Sequence, residues 1–163
     1  MKNEYAYLLD YPQEKNDDLV EAVYKITELI ENDKIAENEK KNFYSVMKKI
    51  IRRSDFRSYS CVNLLRDIMI DEMFDFLLEE LKKNVLTNEP LSIEIMKIIT
   101  CDNFPEYYSF LDSAKDNMLI SYNFRKLIFS VLDFNQGKLK CLSFPNLNRK
   151  SRDSTEIEID WKY

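Results

Sequence analysis

Hydrophobic positions recur along this chain with the period of a helix over most of its length. Leu19, Val20, Val23, Ile26, Leu29 and Ile30 form one stripe, the spacing of a helix with a single buried face. Asp18-Leu19-Val20-Glu21 at its head reads as a capping box, in which a side-chain acceptor and a glutamate satisfy free amide groups. A second helix follows the acidic start Glu37-Asn38-Glu39 and turns Phe43, Val46, Met47, Ile50 and Ile51 inward. A third is expected from about Ser60, carrying Val62, Leu65, Ile68 and Met69.

The fourth stripe is Met73, Phe74, Leu77, Leu78 and Leu81, on a helix opening at Asp71. Asn84 to Asn88 is a link. Pro90 then suits the first residue of a new helix, where its missing N–H costs nothing, and Leu91, Ile95, Met96 and Ile99 face inward. Thr100 to Asn103 turns the chain into a short helix from Pro105, with Tyr107, Tyr108 and Leu111. The last helix carries Phe124, Leu127, Ile128, Val131 and Leu132 and ends at Gly137, a natural left-handed cap.

The period then changes. Glu156 to Tyr163 alternates strictly, with Ile157, Ile159, Trp161 and Tyr163 on one face, which is the pattern of a strand. Lys138 to Phe144 is the expected partner strand and Pro145 to Ser154 the loop between them. Tyr5 to Leu9 suits a third strand or a short helix equally. From residue 71 the helices come as antiparallel pairs with short links, at intervals of roughly 30 residues, which is how α-solenoids are built. The expected architecture is mainly α: stacked antiparallel helical hairpins, HEAT-like or an irregular bundle. One domain spans 1–163, with a small C-terminal β-hairpin (138–163) on the same core.

Composition narrows the chemistry. The chain of 163 residues has one glycine and four prolines, which disfavours a turn-rich β-sandwich or barrel and leaves no glycine-rich phosphate loop. It has no histidine, which removes the commonest general base, the usual catalytic triads and most zinc sites. Cys61, Cys101 and Cys141 are evenly spaced but form no CxxC pair. An odd number of cysteines points to reduced thiols and a cytoplasmic location, with Cys61 and Cys101 packed in the core. The start of the chain lacks an apolar leader, and no apolar run approaches the roughly 18 residues of a membrane span. Glu28 and Glu31, with Glu72 and Asp75, echo the paired carboxylates of helical magnesium-dependent pyrophosphohydrolases. The pairs stand too far apart in the chain and on faces expected to meet water. No metal, cofactor or catalytic residue is therefore expected, and the protein reads as a binder and not an enzyme.

Charge is the sharper feature. Between Asn38 and Arg57 seven bases face two acids, a balance of +5, so with a net charge of −5 the remainder carries −10. Lys48, Lys49, Arg52 and Arg53 make one basic face near the end of the second helix. It serves either the helix dipole or a nucleic-acid or other anionic contact. The overall acidity, and the lack of exposed aromatic residues beside the patch, weigh against nucleic acid. The acidic candidates are Asp71, Glu72, Asp75 and Glu79 on the fourth helix and Glu156, Glu158 and Asp160 on the last strand. They serve either as solubilising surface or as a dock for a basic protein, whose association such charge accelerates.

Helix order from about residue 60, acidity and the terminal Ile157-Glu158-Ile159-Asp160-Trp161 together resemble the HEAT-like immunity proteins of bacterial polymorphic-toxin and contact-dependent inhibition systems. The resemblance implies a cytoplasmic protein that binds one cognate toxin domain, a basic one here, and plugs or misshapes its active site. Two alternatives remain open. One is a viral or phage protein that blocks a host defence factor, consistent with an AT-rich coding bias. The other is a helical nucleic-acid-binding regulator using Lys48, Lys49, Arg52 and Arg53.

Overall fold

The computed structural model describes residues 16–100, 104–145 and 157–159. They form α1 (Asn16–Glu31), α2 (Glu37–Arg52), α3 (Phe56–Asn63), a 3-10 turn (Arg66–Ile68), α4 (Asp71–Asn84), α5 (Glu89–Ile99), α6 (Pro105–Ala114) and α7 (Tyr122–Asn135). Two short extended segments follow, β1 (Leu142–Phe144) and β2 (Ile157–Ile159). The protein is thus mainly helical, and no described helix is long and apolar enough to cross a membrane. Tyr5–Leu9, Cys101, the loop from Asn146 to Ser154, Trp161 and Tyr163 lie outside the described residues.

The chain divides into two compact units, 1–80 and 81–163. In the first, α3 packs on α2 and on α1, and α1 meets the 3-10 turn. Leu19, Val23, Ile26, Phe43, Met47, Ile50, Ile51, Val62 and Leu65 are buried there. Two side-chain bonds tie the elements together. The Tyr44 hydroxyl donates to the Ile68 carbonyl at 2.6 Å, and the Ser58 hydroxyl donates to the Ile50 carbonyl at 2.8 Å.

Local chemistry moves several boundaries. α1 starts at Asn16, so Asp18 lies inside the helix and is not its cap. α3 begins before Ser60 because Asp55 caps it, accepting the Ser58 amide at 3.2 Å. It stops at Asn63, and the 3-10 turn, not a continuing α-helix, buries Ile68. Left-handed turns do not wait for glycine. Asp33 (φ 52°) and Ser54 (φ 56°) adopt them after α1 and α2. At Asp33 the link is closed by amide bonds from Asp33 to Ile30 and from Lys34 to Leu29, the pairing of a Schellman motif. Gly137 (φ 71°) does the same after α7, as expected.

In the second unit α6 packs on α7, and α7 on β1. Leu91, Ile95, Met96, Tyr107, Leu111, Phe124, Ile128 and Val131 fill its core. Caps set the helices: the Asn88 side chain accepts the Leu91 amide at 3.2 Å, and Ser121 accepts that of Phe124 at 3.2 Å. Pro105 is the first residue of α6, while Pro90 is the second of α5. The strand expected over Lys138–Phe144 is limited to Leu142–Phe144. Ile157–Ile159 lies antiparallel to it, Leu142 opposite Ile159. These three residue pairs are what is described of the hairpin expected over 138–163; residues 146–156 and 160–163 lie outside the described residues.

Candidate interaction surface

The basic and acidic candidates of the first unit meet each other. Phe76, not Phe74, is the buried aromatic of α4. The Lys48 ammonium and the Arg52 guanidinium lie 5.6 and 5.2 Å from its ring centroid, a cation–π arrangement. The same two cations reach carboxylates on α4. Lys48 donates to Glu72, and Arg52 Nε stands 3.5 Å from Glu80, whose side chain is buried. The Lys48 hydrogen bond, reinforced by its charge, holds the Glu72 carboxyl below the usual carboxylate range.

The two patches read separately in the sequence are thus partly one seam. Spacing within each helix exposes each face correctly, but only tertiary packing shows that they neutralise each other. Lys49, Arg52 and Arg53 remain exposed, Lys48 half so. On α4, Asp71, Asp75 and Glu79 are exposed beside Glu72, as the helical pattern requires. Glu156 and Asp160 lie outside the described residues, as does the side chain of Glu158.

The carboxylate pairs Glu28/Glu31 and Glu72/Asp75 are exposed on their helices. Among the described residues no group of three or more Cys, Asp or Glu is placed to hold a metal ion. Cys61 is buried and Cys141 exposed, and neither is in a disulfide. An open depression of about 520 Å³ in the second unit is lined by Lys82, Pro105, Glu106, Ser109, Phe110 and Ser113.

The second unit also holds features the sequence reading passed over. Every residue of α5 from Leu91 to Ile99 is buried, including Glu94 (1% exposed) and Lys97 (8%). These two pair at 2.8 Å. Outside the core stripe, Met118, Leu119 and Tyr122 stand 77%, 79% and 73% exposed. The capping serine was the available signal. With Ser121 as cap and the stripe running Phe124, Leu127, Ile128, Val131, Tyr122 falls off the buried face and Met118 and Leu119 precede the helix.

No protein-family model matches this sequence, and neither a curated protein nor a solved structure shows significant similarity to it.

Proposed function

We propose that this protein acts without catalysis, by binding a basic protein partner through the outer acidic face of α4. The observation that carries the reading is the row of exposed acids on α4. Asp71, Asp75 and Glu79 are exposed at successive turns of the helix, beside Glu72, which Lys48 of α2 meets. A row of exposed carboxylates on a rigid helix steers a cationic surface and fixes its register. In its most specific form the proposal is an immunity protein that neutralises a cognate toxin domain. It carries with it a HEAT-like stacking of helical hairpins, a C-terminal β-hairpin and a cytoplasmic location in which the thiols stay reduced. The nucleic-acid reading loses weight, because two of its four bases already face carboxylates.

The test is quantitative affinity capture from the source organism with the wild type and with Asp71→Lys/Asp75→Lys/Glu79→Lys. All three positions are exposed, so the variant is expected to fold. The expected result is a basic protein enriched by the wild type and reduced about tenfold or more with the variant, as loss of several steering charges predicts. Equal capture by both would reduce the α4 face to a solvated surface.

A further inference from the structure

We propose that Met118, at the tip of the loop between α6 and α7, is an oxidation site for peroxides, and that Arg125 captures the sulfoxide so formed and ties the loop to α7. This goes beyond the α4 acids and uses none of them. Five methionines fall among the described residues. Met47, Met73 and Met96 are fully buried, and Met69 is half-buried. Met118 is the exposed one of the five, at 77%, so a dissolved peroxide meets its thioether first.

The tip is fixed on both sides of the sulfur. Ile120 is buried beneath it, and Leu119 donates its amide to the Asn117 side chain at 3.0 Å. The Ser121 hydroxyl donates to Glu89 at 2.7 Å while accepting the Phe124 amide. The Arg125 amide donates to the Ser121 carbonyl at 2.9 Å, which sets Arg125 in the first turn of α7. From there its Nη1 donates to the Met118 sulfur at 2.9 Å. Among the described residues that sulfur is the one side-chain acceptor the guanidinium meets, and Nε is buried with no partner. Of the acids around the loop, Asp112 bonds Lys115 and Glu89 accepts from Ser121.

A thioether sulfur is a weak acceptor, and peroxide changes that. The O–O bond breaks, one oxygen bonds to a sulfur lone pair, and the other leaves, protonated, as water or an alcohol. The sulfur loses two electrons and the peroxide gains them. The resulting sulfoxide is polar, and its oxygen carries the negative charge that the sulfur lacked. A charged donor such as guanidinium bonds an acceptor about twice as strongly as a neutral one does. Methionine has three rotatable bonds, which let the longer group swing until its oxygen meets Nη1. Oxidation thus gives Arg125 a strong acceptor, and a loop already held at Asn117 and Ser121 acquires a third tie, across to α7. Reduction back to the thioether undoes it.

The test treats the full chain with hydrogen peroxide and follows each methionine by peptide mass spectrometry. Met118 should be oxidised well before Met47, Met73 and Met96. With Met118 as the sulfoxide, the Leu119 and Ile120 amides should exchange about fivefold more slowly than in the reduced protein, the size of one added hydrogen bond to a charged group at a partly exposed site. A methionine sulfoxide reductase should restore the faster exchange. Arg125→Leu, which suits a helix and removes the donor, should abolish the slowing. Met118→Gln, which offers an amide oxygen to the same guanidinium, should show the slowing without any oxidant. Circular dichroism should show both variants folded, since neither position lies in the core. Oxidation of the buried methionines before or together with Met118 overturns the proposal. So does equal slowing in Arg125→Leu, or a sulfoxide form whose exchange is unchanged or faster. No such result touches the α4 reading, because Asp71, Asp75 and Glu79 are intact throughout.

Discussion

The two units treat polarity differently. The first follows the helical pattern with one exception: stripes point inward and charges outward apart from Glu80, which is buried beside Arg52, and Lys48 and Arg52 of α2 lie over Phe76 of α4. The second reverses the pattern twice. It buries Glu94 and Lys97 on α5 and exposes Met118, Leu119 and Tyr122 at the head of α7. A charged run that meets its complement within the fold has less left for a partner than its sequence suggests. Exposed apolar residues on a fixed loop have no such internal outlet, so the reversed unit offers the less expected surface.

The buried pair offers the largest effect by which to break this comparison. Glu94→Ala removes the carboxylate that Lys97 meets at 2.8 Å and should cost about 3 kcal/mol in denaturant unfolding, the low end of what breaking a buried ion pair costs. Glu94→Leu/Lys97→Met should recover most of that loss, because an apolar pair of similar volume avoids the desolvation cost altogether. A loss below about 1 kcal/mol for Glu94→Ala would place the pair with ordinary surface ion pairs, and the contrast between units would fail.

How much of this was legible follows from the same contrast. The stripes of α2 and α7 appear in the core residue for residue, and Gly137 takes the left-handed turn expected of it. The α3 boundary was legible in principle, since Asp55 stands three residues before the amide it caps. The apolar stripe by itself points to a start near Ser60. α5 was not legible: with Leu91, Ile95 and Ile99 inward, Glu94 and Lys97 belong on the wet side. Only the surroundings of that helix, built from other parts of the sequence, bury them. The Lys48–Glu72 pairing joins residues on two different helices, and helical periodicity within one segment cannot see across to another. Glu156, Glu158 and Asp160 were legible as an alternating pattern, but their side chains fall outside the described residues.

A middle-sized effect is expected at Ser121, which holds the apolar tip. Ser121→Ala removes the acceptor for the Phe124 amide and the donor to Glu89, and loss of a serine cap costs about 1 kcal/mol. Hydrogen exchange should quicken at Leu119 and Phe124 and stay unchanged in α2. Ser121→Gly should cost only a few tenths of a kcal/mol in the cap itself, since glycine is tolerated there. Equal protection of Leu119 in wild type and Ser121→Ala would mean that buried Ile120 and the Leu119–Asn117 hydrogen bond hold the tip without Ser121.

The smallest effect should come from the exposed seam of the first unit, and its sign can be stated. Glu72 has its carboxyl held below its ordinary value of 4.5 by the Lys48 hydrogen bond. Around that pH the unfolded chain therefore binds more protons than the folded one, and stability rises with pH. The contribution is fully present above pH 4.5 and disappears as pH falls through the lower folded value. Wild type should exceed Glu72→Gln in thermal midpoint at neutral pH and low salt, with the gap closing under acid. The gap should also shrink near 1 M salt, where charges at the surface are screened within about 3 Å. A gap that persists at acid pH and high salt would mean that Glu72 acts through packing rather than charge. The pairing of α2 with α4 would then no longer explain why the first unit's charges are spent within the fold.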